Sequence, residues 1–142
     1  MHDSRPTILV VDDSTETADI LRRYLEMHGY AVSLARDGDA ALAAFERERP
    51  ALVLLDVMLP GQDGWAVCRA IRERPDGGGT PVVMLTGLRA QQARDLALAA
   101  GADGVVAKPF DLHEVLASAR RYAPVADGAG PARGRLGATE RS

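Results

Sequence analysis

Five polar side chains stand where the sequence otherwise runs apolar. Asp12 and Asp13 close the run "TILVVDD", Asp56 closes "ALVLLD", Thr86 closes "PVVMLTG", and Lys108 closes "GVVAKP". Lys108 is the only lysine in the chain; every other basic residue is an arginine. If these runs are strands of one parallel sheet, their polar ends share an edge. Three carboxylates there would repel, by roughly 4 kcal/mol per pair at about 4 Å and an effective dielectric of 20. Either one acid stays protonated or a cation sits among them. A hard divalent ion with oxygen ligands is the simple solution, and Mg²⁺ suits a site with few protein ligands. Mg²⁺ keeps several waters and usually binds phosphate oxygens as well, so the site needs a donor for the remaining phosphate charge. Lys108 is that donor. An ammonium on a flexible stem can pair with Asp56 and later follow a new oxygen, whereas the planar arginine fork would crowd a small site.

The intervening elements must bring those ends together. The four runs are short, rich in Val, Ile and Leu, and not alternating, as expected of parallel strands buried on both faces. A fifth run, "YAVSLA", alternates more and reads as an edge strand. Helical periodicity separates the runs. Ala18, Leu21, Leu25 and His28 share one face, with Gly29 as the stop. "DGDAALAAFERERP" is a second helix, ended before Pro50. Val67, Cys68 and Ile71 group in a third, and Ala93, Leu96, Ala97 and Ala100 in a fourth that stops at Gly101. In the last, Asp111 and Glu114 have capping-box spacing, Phe110 can staple onto Val115, and Leu112, Val115, Leu116 and Ala119 form the buried stripe. Alternating strands and helices predict an α/β domain with a parallel sheet. In such a sheet, ligands bind beyond the carboxyl ends of the strands.

The chain has 142 residues, a net charge of −3 and 46% hydrophobic residues. It is long enough for one self-sufficient core and carries no field that would draw it to nucleic acid or an anionic membrane. One cysteine, Cys68, allows no internal disulfide and fits a reducing compartment such as the cytoplasm. No signal peptide and no membrane span are expected. His2, His28 and His113 lack metal-ligand spacing. Gly61, Asp63 and Gly64 read as turn formers, Cys68 as core, and Trp65 as packed or partly exposed. From Pro124 onward Gly, Ala, Pro and Arg replace the periodic pattern, so residues 124–142 are expected to form a disordered tail behind a domain spanning residues 1–123.

In this order and at these intervals, "VVDD", "LVLLDVMLPGQDGW", "VVMLTG", "AGADG" and "AKPF" resemble the receiver domain of two-component response regulators, in its stand-alone, CheY-like form. The resemblance covers roughly residues 6–123. It implies a flavodoxin-like, doubly wound fold with five parallel strands in the order 2-1-3-4-5 and helices on both faces. It also implies that Asp56 accepts a phosphoryl group and that Asp12, Asp13, Asp56 and the Met58 main-chain carbonyl hold Mg²⁺. By the same resemblance Thr86 turns its hydroxyl toward the phosphoryl group, Lys108 binds it, and the Lys108–Pro109 bond is cis. The implied partners are a sensor histidine kinase or phosphotransfer protein and a downstream protein, in a two-component system or phosphorelay. No attached DNA-binding domain is expected. The protein would be no enzyme in the ordinary sense, catalysing only its own phosphorylation and dephosphorylation.

One position departs from the family pattern. Three residues before the lysine the family often carries Tyr or Phe, whose ring swings inward when the threonine moves; here the residue is Val105. A valine has no ring to bury, so output is expected to rest on shifts around Thr86 to Ala90. Two other protein classes share part of the residue set. A haloacid-dehalogenase-like phosphohydrolase also uses aspartate and Mg²⁺, but wants an Asp-x-Asp pair on its first strand, and here the acids are adjacent. A flavin-binding flavodoxin-like domain could use the hydroxyls of "DSTET", but Asp12 and Asp13 would repel a phosphate with no metal between.

Overall fold

A computed structural model of the chain describes residues 5–75 and 77–125. Thr7–Val11 form β1, Thr15–Met27 α1, Ala31–Ala35 β2, Gly38–Glu48 α2 and Leu52–Asp56 β3. A two-stranded antiparallel hairpin follows, Met58–Leu59 as β4 and Gln62–Asp63 as β5. Gly64–Glu73 form α3, Val82–Thr86 β6, Ala90–Ala100 α4, Gly104–Ala107 β7 and Leu112–Tyr122 α5. The main sheet has five parallel strands in the order β2-β1-β3-β6-β7. With the short hairpin strands set aside, this is the expected 2-1-3-4-5.

The continuous apolar runs follow from burial on both faces. Leu9, Val11, Val53, Leu55, Val82 and Met84 point into one core, packed by α2, α3 and α4. Their neighbours Ile8, Val10, Leu52, Leu54, Val83 and Leu85 point into the other, packed by α1 and α5. Side chains alternate faces along a strand, so each run must be apolar throughout. The two-faced "YAVSLA" run supplies β2, at the sheet edge.

Helix signals act where the sequence puts them. Asp111 and Glu114 form the reciprocal capping box of α5, and Phe110 packs into the same core as Val115. Gly101 ends α4 in the left-handed conformation, and Gly29 follows α1 with φ +98°. The stripe of α4 differs in one residue. Ala93, Ala97 and Ala100 are buried, whereas Leu96 is 40% exposed. Three alanines let the helix lie close to the core, and Leu96 falls on its flank. Trp65 is buried, and so is Cys68, whose Sγ donates to the Ala100 carbonyl at 3.4 Å. His2 and most of the expected tail lie outside the described residues. Pro124 and Val125 are described, and Val125 packs against the core beneath α1 and α5.

Among the described residues no helix is long and apolar enough to cross a membrane.

Candidate functional site

Parallel register brings the strand ends level. Val11 stands beside Leu55, Asp56 beside Leu85, and Thr86 beside Ala107. Asp12, Asp56, Thr86 and Lys108 therefore emerge together at the carboxyl edge. Past the strand end, the Lys108 N–H still donates to the Thr86 carbonyl at 2.7 Å. The Lys108–Pro109 peptide is cis, as the resemblance implies.

A shared local device explains three of the residue types. Asp12 Oδ1 accepts from Ser14 N at 2.9 Å, Asp56 Oδ1 from Met58 N at 3.2 Å, and Thr86 Oγ1 from Leu88 N at 3.0 Å. Each side chain holds the backbone two residues on, which turns the chain off the sheet. Turn formation alone would thus account for each residue singly. It does not account for their convergence, nor for Lys108.

An open cleft of about 480 Å³ lies over this edge, lined by Asp12, Asp13, Ser14, Thr17, Asp56, Met58, Leu59, Pro60 and Lys108. Carboxylate oxygens of Asp12, Asp13 and Asp56 all lie within 4.8 Å of one another. Asp12 and Asp56 are buried, and Asp13 is exposed. Lys108 Nζ donates to Asp56 Oδ1 at 2.9 Å. Both contacts to Asp56 fall on Oδ1, leaving Oδ2 without a hydrogen-bond partner among the described residues. Thr86 is buried beside this group but is not part of the cleft lining.

Asp12 carries the electrostatic cost of the arrangement. Burial holds its carboxyl above the usual range; the Ser14 N–H and Lys108 counter this, and the charges of Asp56 and Asp13 add to it. Its Oδ2 is buried with no hydrogen-bond partner among the described residues. An unpaired buried carboxylate oxygen is expensive unless something positive occupies its open side. Clustered carboxylate oxygens lining an open cleft fit a hard, partly hydrated divalent cation, so the residues present suit Mg²⁺.

Several contributors escaped the reading of the sequence. Ser14 caps α1 by accepting from Thr17 N at 3.2 Å, and donates to Thr17 Oγ1 at 3.1 Å. A serine directly after two acids and before a helical pattern was the available signal. The hairpin that walls the cleft was harder to foresee. Its Pro60-Gly61 turn, with Gly61 at φ +73°, matches a type II pattern, but two strands of two residues leave no periodicity to detect.

The chain belongs to the response regulator receiver domain family, whose model matches residues 8–120. Over 126 residues it is 44% identical to the response regulator MprA of Mycolicibacterium vanbaalenii, covering 87% of this chain and 54% of that protein. It thus spans about half the length of this curated relative. The fold is similar to chemotaxis response regulator CheY4 of Vibrio cholerae, with 30% identity, a TM-score of 0.79, and coverage of 83% of this chain and 98% of the other. It is also similar to the receiver domain of a sensor histidine kinase from Pseudomonas aeruginosa, with 33% identity, a TM-score of 0.76, and coverage of 83% and 97%. That structure has a magnesium ion coordinated in its active site cleft. The phosphohydrolase and flavodoxin alternatives gain no support from these matches.

Proposed function

We propose that this receiver domain is a Mg²⁺-dependent phosphoacceptor that takes a phosphoryl group on Asp56 from a histidine kinase or phosphotransfer protein. The modification switches binding of a downstream protein or passes the phosphoryl group along a relay, in the cytoplasm. The observation that carries this reading is the state of Asp56. It is buried at the floor of an acid-lined cleft, with Oδ1 held by Lys108 and Met58 N and Oδ2 without a hydrogen-bond partner among the described residues.

Asp56 Oδ2 is the attacking atom. It forms a bond to phosphorus while the bond from phosphorus to the donor nitrogen or acyl oxygen breaks, and the leaving group keeps that electron pair. The product is an aspartyl phosphate, a mixed anhydride. Asp12, Asp13, Asp56 and the Met58 carbonyl would hold Mg²⁺, which supplies positive charge against the phosphoryl oxygens when bound. The Lys108 ammonium, already within reach of Asp56, moves from Oδ1 to a phosphoryl oxygen. The Thr86 hydroxyl donates a hydrogen bond to another while its oxygen lone pair still accepts from the Leu88 N–H. These residues contribute positioning and electrostatics, as in other phosphoryl transfers. Val105 packs against the core covered by α3 and α4, so the ring movement usual in the family has no counterpart here. The response instead runs through the Thr86–Ala90 segment into α4.

Incubation with acetyl phosphate and Mg²⁺ should label the protein stoichiometrically, and Asp56→Asn should abolish the label. Equal labelling of that variant and wild type would falsify the assignment.

A further inference from the structure

The first residue of α3 lies against the backbone of Asp56. A Cβ on Gly64 would come within 2.3 Å of the Asp56 carbonyl oxygen, 2.8 Å of Val57 Cα and 3.0 Å of the Asp56 carbonyl carbon. All three are main-chain atoms of the segment that carries the cleft's central carboxylate, so no rotamer change relieves the clash. Gly64 N donates to the Val57 carbonyl at 2.7 Å, which makes the approach a bonded one. Two further ties hold the same place. Asp63 caps α3 by accepting from Ala66 N at 2.7 Å, and it pairs with Met58 across the hairpin. Gly64 differs from Gly61, which has φ +73° and nothing within 4 Å of the point a Cβ would occupy. Conformation demands glycine at 61; space alone demands it at 64.

We infer that Gly64 is a positioning residue for the phosphoacceptor: the missing side chain lets the start of α3 clamp the Asp56–Val57 backbone, and that clamp sets where Asp56 Oδ2 points. The inference rests on the phosphoacceptor reading of Asp56. Alanine at 64 must open the gap by roughly 1 Å to reach ordinary contact distance. The displaced backbone moves the carboxylate relative to Lys108 Nζ, now 2.9 Å away. Misplacement of a reacting atom by about 1 Å can cost on the order of 100-fold in rate.

The test compares Gly64→Ala with Ile71→Ala, the latter a fully buried residue of the same helix that serves as a stability control. Labelling of Asp56 by acetyl phosphate and Mg²⁺ is timed well below both melting temperatures. The expected result is a labelling rate for G64A reduced about 10- to 100-fold, and a rate for I71A near wild type despite an equal or larger fall in melting temperature. G64A labelling at the wild-type rate overturns the inference. So does a G64A chain that fails to fold, or an I71A rate that falls in step with its stability, since either assigns Gly64 to the scaffold. Failure of wild type itself to label at Asp56 overturns the phosphoacceptor reading and this inference with it.

Discussion

Asp12→Asn is expected to stabilise the metal-free protein and to abolish its stabilisation by Mg²⁺. Asp12 and Asp56 are both buried, and oxygens of the two carboxylates lie within 4.8 Å. Two unit charges at that distance repel by about 3.5 kcal/mol at an effective dielectric of 20. The Lys108 ion pair with Asp56 offsets part of this, and Asp13 is exposed, so its share is screened. Asparagine keeps an oxygen for the Ser14 N–H and puts an amide where the unpartnered Oδ2 now stands. A net gain of about 1–2 kcal/mol is expected, or roughly 4–8 °C in melting temperature for a domain of this size. Mg²⁺ reverses the order. A ligand present at about 100 times its Kd stabilises the native state by about 2.7 kcal/mol, and the variant, lacking one of the three clustered carboxylates, is expected to forgo this. Thermal melts in chelator and in millimolar MgCl₂ read both effects. A D12N protein that melts no higher than wild type in chelator, or that still gains stability from Mg²⁺, refutes the reasoning.

Lys108→Arg should retain metal-dependent stabilisation yet label at Asp56 about 10- to 100-fold more slowly, because the guanidinium cannot follow the new oxygen in the same space; a stopped-flow or gel assay against wild type reads the ratio. Asp103→Ala should cost about 1–3 kcal/mol in chemical denaturation, since it removes the acceptor of Val82 N at 2.9 Å and of Arg72 Nη2 at 2.6 Å. Its labelling per folded molecule should stay unchanged. Tyr30→Phe should be neutral or slightly stabilising at pH 7, because the Tyr30 hydroxyl is buried without a partner among the described residues. Burial pushes that phenol up to about 12 from 10.0. A native pKa above the unfolded one gives stability that is complete below pH 10 and lost as pH rises toward 12. Wild type should therefore lose stability in that window and Y30F should lose less, as alkaline denaturation curves would show.

The fold was legible because burial dictates composition. A strand covered on both faces must be apolar at every position, so β1, β3 and β6 announce themselves as unbroken runs, and the polar residue that ends each run marks the sheet edge. That is why Asp12, Asp56, Thr86 and Lys108 could be placed together from spacing alone. Features set by local crowding were not legible. Gly64 looks like any glycine before a helix; only the position of the Asp56 carbonyl shows that a methyl group cannot fit there. The flank position of Leu96 depends on how closely three alanines let α4 approach the core, which periodicity does not report. Arg72 is likewise one of many arginines in the sequence, yet it bonds the Thr80 and Gly101 carbonyls as well as Asp103.

Those last contacts bear on how the site can move. Arg72 and Asp103 join α3, the turn after α4 and the start of β6, at the sheet edge opposite the cleft. The C-terminal end of α4 is thereby tied to its surroundings. Its beginning packs through Ala93 but lacks a side-chain cap. Ser14, Asp37, Asp63 and Asp111 cap the other four helices with their side chains, whereas Arg89 gives α4 no such bond. Uncapped N–H groups in a first turn cost roughly 1 kcal/mol of helix stability relative to a good cap, and among the described residues the α-helix start without a side-chain cap lies three residues beyond Thr86. A pull on the Thr86 hydroxyl would be felt first there, while the anchored far end holds its place. With valine at 105, that difference in capping between the two ends of α4 is the reason to expect a change at Asp56 to act through the Thr86–Ala90 segment.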